Sequence, residues 1–199
     1  MTDAAETAPT RRRTSIGGRR NPESAAAILD AAAAILAENG LGGFSIEAVA
    51  RRAGAGKPTI YRWWPNKAAL LIDVYARQKE TVLQADTGSL QGDLEDVLSR
   101  LFDFWRHTPA GAAFRSIIAE AQSDPEALER LRAFLIERRA YVREIVERGI
   151  ARGDLPADAD GAAIVEMLFG FAWMRLLTGD LGAAEDIPRR VHLILKGAA

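Results

Sequence analysis

Cysteine is absent from this 199-residue chain, and histidine occurs only twice. The first absence excludes a disulfide framework, a thiol nucleophile and a zinc site built on thiolates. The two histidines, His107 and His192, fall at opposite ends of the C-terminal half. Neither belongs to an HExxH pattern, and a GxSxG elbow and a Gly-rich phosphate loop are missing too. No enzymatic class, catalytic residue, metal or cofactor is therefore expected. Long apolar runs are also lacking. Glu166 and Arg175 interrupt the most hydrophobic stretch, so no transmembrane span of about 20 residues is expected. Met1 to Pro9 carry no apolar signal-peptide core, which makes the cytoplasm the expected compartment. No segment alternates apolar and polar residues as a strand does, and no internal repeat occurs.

What is present is a globular balance, 48% hydrophobic and 27% charged residues, with enough chain to bury a core. The net charge of −1 conceals an asymmetry. Residues 11–67 hold ten Lys/Arg against four Asp/Glu, residues 1–10 carry −2, and the remainder carries −5. A basic head on an acidic body suits a polyanionic partner for the head. An uneven solvated surface would give the same numbers.

Caps and periodicity divide the chain into about nine helices, an all-α fold. Residues 1–20 read as a flexible basic arm without apolar periodicity. Asn21-Pro22-Glu23 opens the first helix, whose stripe is Ile28, Leu29, Ala32, Ile35 and Leu36, and Asn39-Gly40 stops it. Ser45 caps a second helix carrying Ile46, Val49, Ala50 and Ala53. Gly54-Ala55-Gly56 makes a turn. A short third helix over Lys57 to Trp63 ends before Pro65. Asn66 caps a fourth that runs to about Gln84. Helices follow at Leu90–His107, around Phe114–Ala121, from Asp124-Pro125-Glu126 onward, from about Ala159 to Thr178, and from Asp186 to Lys196. The expected division is a head at 21–67, a connector helix at 66–85 and a body at 86–199.

The informative stretch is Phe44 to Lys67. Two short helices around a glycine turn make a helix-turn-helix pattern. At about 100° per residue, Ile60 and Trp64 share one face of the third helix and can pack inward. Pro58, Thr59 and Arg62 point the other way, flanked by Tyr61 and Trp63. That outer face carries no acid and suits a DNA major groove. Arg62 reaches guanine edges or phosphate, Thr59 bonds either, and Pro58 with Tyr61 meets a thymine methyl. Lys57 and Lys67 neutralise phosphates. The helix starts at Ser45 and Lys67 offer backbone N–H groups, with the Ser45 hydroxyl beside them. Arg19 and Arg20 extend toward the adjacent minor groove. For the Arg11–Arg13 run, DNA contact and an inert tail stay equally open, and Tyr61 has a core aromatic as its plainer alternative.

Lys57, Pro58, Thr59, Ile60, Tyr61, Arg62, Trp63, Trp64 and Lys67, in that order after the glycine turn, resemble the signature of the TetR family of transcriptional regulators. The resemblance covers residues 21–85. It departs at Trp63, where His or Tyr is common, and at Ala55, where Val is usual. An indole N–H still donates to phosphate but accepts nothing. The resemblance implies that Ser45, Thr59, Tyr61, Trp63 and Lys67 touch the DNA backbone or bases. It implies a double-stranded operator as partner, a homodimer and a small-molecule effector.

The body is generically helical except for the stretch around Ile164–Leu177, which is apolar on nearly every side. A helix apolar all round must be buried all round, and a second copy of the chain is one source of cover. A monomer with this helix at its centre is the other. The family implies an interface there, placed on Leu168, Phe169, Gly170, Phe171, Trp173 and Leu176, with Gly170 marking a close helix crossing. The family also implies a ligand cavity, for which Trp105 and His107 are the candidate residues. Together these readings describe a repressor released from a palindromic operator by a small ligand. The alternative is a helical ligand-binding or interaction module that never meets DNA.

Overall fold

A computed structural model of the protein describes residues 22–79, 85–182 and 186–197. Among them are nine α-helices and no strand: α1 (Pro22–Asn39), α2 (Ile46–Ala53), α3 (Lys57–Trp63), α4 (Lys67–Lys79), α5 (Leu90–His107), α6 (Ala110–Ala121), α7 (Pro125–Arg152), α8 (Gly161–Thr178) and α9 (Asp186–Gly197). The expected all-α class is the one found. The basic arm, Asn21, Arg19, Arg20 and the expected end of the fourth helix lie outside the described residues.

Helix ends follow local chemistry. Ser89 in an extended conformation accepts from Gly92 N–H and starts α5. Asp124 accepts from the N–H groups of Glu126 and Ala127 and starts α7. These side-chain oxygens satisfy donors that a helix start leaves without partners. α8 begins at Gly161 rather than near Ala159, because Asp160 takes the capping position and accepts from Ala163 N–H at 2.9 Å.

The apolar stripes then dictate packing. α1, α2 and α3 bury Ile28, Leu36, Val49, Ile60 and Trp64 in a small head. α4 is shared, packing on α1 in the head and on α6 and α7 in the body. α5 and α7 approach closely where Gly149 faces Leu90: a Cβ on Gly149 would lie 2.7 Å from the Leu90 Cβ. Asp93 is the one fully buried charged residue among those described. It accepts from the Thr87 N–H (2.6 Å) and hydroxyl (2.8 Å), with the Arg148 and Arg152 guanidinium groups each 3.5 Å away. Burial alone would raise its pKa, but the Thr87 bonds and the Arg148 charge outweigh it and hold the carboxyl below its ordinary value. This network pins the segment before α5 to the end of α7.

Candidate DNA-binding face and effector cavity

The head builds its exposed face from the turn outward. Gly54 adopts φ 60°, ψ 28°, and its N–H bonds back to the carbonyls of Ala50 and Arg51. This left-handed residue, which glycine adopts without Cβ strain, reverses the chain between α2 and α3. Ile60 and Trp64 then face inward and are fully buried. The Trp64 indole N–H donates to Asp73 at 2.7 Å and so ties the end of α3 to α4.

The opposite side of α3 is open. Lys57, Pro58, Tyr61 and Arg62 are exposed, Thr59 and Trp63 half-buried. Tyr61 keeps 45% of its surface, which removes the alternative of a plain core aromatic. The Arg62 guanidinium lies 5.6 Å from the Trp63 ring centre, and Trp63 meets Trp64 edge-on at 5.9 Å. Ser45 caps α2 by accepting from Ala48 N–H at 3.1 Å. Lys67 holds its ammonium 5.5 Å from the ring of Phe44, beside that cap. The starts of α2 and α4 are thus brought together next to α3.

The positive charge of this face is partly committed. Lys57 donates to Glu47 at 2.6 Å, and Arg52 pairs with Glu38 at 2.5 Å. The Lys57 hydrogen bond, a backbone hydrogen bond and the Lys57 charge hold the Glu47 carboxyl below its ordinary value. Arg51, Arg62 and Lys67 have no carboxylate within ion-pair distance among the described residues. Lys57, expected as a phosphate neutraliser, is paired with a carboxylate here. Half of the ten cations counted in residues 11–67 are Arg11–Arg13, Arg19 and Arg20, outside the described residues.

In the body, a cavity lies between α4, α5, α6, α7 and α8. About 660 Å³ of space lies among its lining atoms, part of it open to solvent, and little of it is wide enough for a water molecule. It is a narrow slot that must widen to take a drug-sized guest. Its walls are aromatic and aliphatic. Tyr75 stacks on Phe114 at 4.6 Å, Trp105 on Phe114 at 6.1 Å, and Trp173 meets Phe114 edge-on at 5.8 Å. The Trp105 N–H donates to the Tyr75 hydroxyl at 2.8 Å. Burial pushes the Tyr75 phenol far up, against the smaller opposing effects of that bond and the Arg138 charge, so it stays neutral. Trp105 lines the cavity as expected, but His107 does not. Its side chain is 68% exposed and its ring lies against the Asp103 carbonyl at 3.1 Å, on the outer side of the last turn of α5. Proximity to Pro109 in sequence did not convert into proximity to the slot. Arg138, which sequence reasoning passed over, is the one charged residue in the lining.

α8 is two-sided. Ile164, Val165, Leu168, Ala172 and Leu176 are buried in the body, while Met167 and Leu177 are exposed and Met174 keeps 64% of its surface. Of the residues expected at a subunit interface, Leu168, Phe169 and Trp173 line the cavity, and Leu176 is fully buried. Phe171 is half-buried, 5.8 Å from Phe102 and 5.6 Å from the Arg175 guanidinium. Leu168 and Leu176 are thus packed inside the subunit, whereas Phe169, Phe171 and Trp173 are half-buried. Gly170 alone is on the open side, with nothing within 4 Å of where a Cβ would stand. The open side reads Met167, Gly170, Met174 and Leu177, alternating three- and four-residue steps, with Ala163 half-buried one step before them. α8 is also the one described helix long and apolar enough to cross a membrane by length and composition.

Residues 28–74 match the family model described as bacterial regulatory proteins, tetR family, and residues 84–192 match a tetracyclin repressor-like C-terminal domain. The chain is 32% identical over 172 residues to the HTH-type transcriptional regulator AqdR of Rhodococcus erythropolis, spanning 85% of this chain and 83% of that one. It is 31% identical over 169 residues to the uncharacterized HTH-type transcriptional regulator YdeS of Bacillus subtilis (strain 168), spanning 82% and 84%. Its fold is similar to the crystal structure of the TetR family transcription regulator SCO0332, with a TM-score of 0.78, 30% identity, and 89% and 99% of the two chains covered. The fold is also similar to FadR from Bacillus subtilis, solved in complex with stearoyl-CoA, at a TM-score of 0.62 and 22% identity over 87% and 99%.

Proposed function

Since the chain belongs to the TetR family of helix-turn-helix, DNA-binding transcriptional regulators, we propose that it is a homodimeric repressor released from its operator by a small molecule. The observation that carries this reading is the outer side of α3. Pro58, Thr59, Tyr61 and Arg62 present a hydrophobic ring, a hydroxyl, a phenol and a guanidinium with no acid among them. Such a set has little purpose in water and suits the floor of a major groove. Ser45, Lys67 and the Trp63 N–H stand at the rim, where they position the backbone. Lys57 joins them once Glu47 yields it, and Arg19 and Arg20 extend the contact into a minor groove.

Dimerisation supplies the second half-site. The open side of α8 is an apolar seam of the three-four spacing that lets two helices interlock, and Leu193 on α9 is exposed as well. Burying Met167, Met174 and Leu177 against their copies removes from water a patch that a soluble monomer rarely displays. Gly170 at its centre allows a close approach. Two α3 helices then stand about 34–36 Å apart, on successive major grooves of a palindrome. The slot between α4 and α8 is where the effector acts. Widening it displaces α4, which also carries the head, and shifts the population toward a spacing that no longer matches the operator. The protein works in the cytoplasm, without an enzymatic activity of its own.

The test uses a duplex selected from a random pool against the wild-type protein. Tyr61→Ala and Lys67→Ala should each lose binding by fluorescence anisotropy while sedimentation still reports a dimer. With about six to ten phosphates engaged, the wild-type log–log salt slope should be about −0.9 per phosphate. Parent-like affinity in either variant would remove the face from the interface.

A further inference from the structure

The slot carries a chemical preference that rests on the effector-responsive reading above but goes beyond it. Fourteen of its fifteen lining residues are uncharged, and none is a carboxylate. The exception is Arg138 on α7. Its guanidinium lies 5.0 Å from the Phe134 ring centre. Its Nε is buried and has no hydrogen-bond partner. No ion pair or other hydrogen bond to Arg138 exists among the described residues.

A guanidinium in this position is unusual. Arginine is permanently charged, offers five donors and accepts nothing. Buried donors are nearly always paired, and a cation beside apolar walls has lost part of its hydration without a counter-charge in return. The aromatic face of Phe134 compensates a little. Of the neutral polar groups in the walls, the Trp105 N–H is spent on the Tyr75 hydroxyl, and the Trp173 indole N–H is a further, uncharged donor. The one charged donor in the lining that can meet a guest is Arg138.

We propose that the effector is a lipophilic monoanion: an elongated or flat apolar body bearing one carboxylate, which Arg138 takes by its fork of N–H groups. The body lies along the stacked rings of Tyr75, Phe114 and Trp105 and toward Trp173. The carboxylate supplies both missing items at Arg138, an acceptor for the buried Nε and a counter-charge beside apolar walls. Cationic guests are disfavoured by the same charge. Neutral guests of the same shape gain the apolar contacts and leave the donor unmet.

Isothermal titration calorimetry with three probes of one chain length tests this: decanoate, 1-decanol and decylamine. Decanoate should bind about 10- to 100-fold more tightly than 1-decanol, the range a hydrogen bond to a charged group supports, and decylamine most weakly. Arg138→Met should bring decanoate down to the level of 1-decanol and leave 1-decanol unchanged, and Arg138→Lys should restore part of the preference. Circular dichroism checks that the variants are folded, with Arg138→Gln as the second neutral replacement. Equal binding of the three probes, no binding of decanoate, or a preference that survives Arg138→Met overturns the proposal. Operator binding measured on the same samples separates the two readings. A protein that binds DNA and ignores decanoate sinks this inference alone. One that takes decanoate through Arg138 yet stays fully bound to DNA sinks ligand-driven release alone.

Discussion

Replacing Asn66 by serine should remove one hydrogen bond between head and body while leaving the cap of α4 in place. The Asn66 side chain does two things. Its oxygen accepts from Ala69 N–H at 2.8 Å and caps α4, and its amide N–H donates to Asp124 at 2.6 Å, 58 residues away. The other oxygen of Asp124 caps α7. Two helix starts are thus joined through their caps. Serine caps about as well as asparagine, but it has no second group to reach Asp124. A hydrogen bond to a charged group contributes about 1.5–3 kcal/mol when well shielded. Both residues here are half-buried, so water competes and about 1 kcal/mol is expected for Asn66→Ser. Asn66→Ala loses the cap too, for roughly 2 kcal/mol in all. Urea unfolding at fixed protein concentration, needed because subunit association shifts the midpoint, gives these differences at unchanged slope. A cycle of Asn66→Ala with Asp124→Ala should return a coupling of about 1 kcal/mol. If Asn66→Ser matches the parent, or falls as far as Asn66→Ala, the link between the two caps does not hold head to body.

Met174→Glu sets like charges against each other across the α8 seam. Sedimentation velocity should show monomers and operator affinity should collapse, whereas a persistent dimer would place the interface elsewhere. Asp93 has its folded pKa held below the ordinary 3.8. The stability it contributes is therefore complete above 3.8 and disappears as pH falls through the lower folded value. Asp93→Asn should lower Tm at neutral pH and flatten its decline toward about pH 3; an unchanged acid limb would count against the Thr87–Asp93–Arg148 network.

Much of the fold was legible because helix boundaries are set by neighbours in sequence. Ser45 and Asp124 cap within three residues, and Gly54 closes α2 in a left-handed conformation. The two faces of α3 were equally legible. Its apolar residues are spaced four apart, so Ile60 and Trp64 point one way in any helix. The departures have the opposite origin. α8 is apolar on both sides, so periodicity could not tell which residues turn into the subunit, and Leu168 and Leu176, expected at an interface, are packed inside it. His107 was drawn toward a ligand by its type and its neighbour Pro109, yet the last turn of α5 carries it outward.

What the chain determined alone, then, is where helices start and stop, that no strand forms among the described residues, and which side of the short helix after the glycine turn stays exposed. Those outcomes depend on contacts a few residues apart, and such contacts are written in order along the chain. The tertiary structure alone decided that Lys57 is held by Glu47, that Asn66 meets Asp124, and that Arg138 borders an apolar slot with no counter-ion among the described residues. A charged residue on a long helix reads as solvated until neighbours from other helices are known. Burial and pairing are properties of the whole packing, and no local window of sequence contains them.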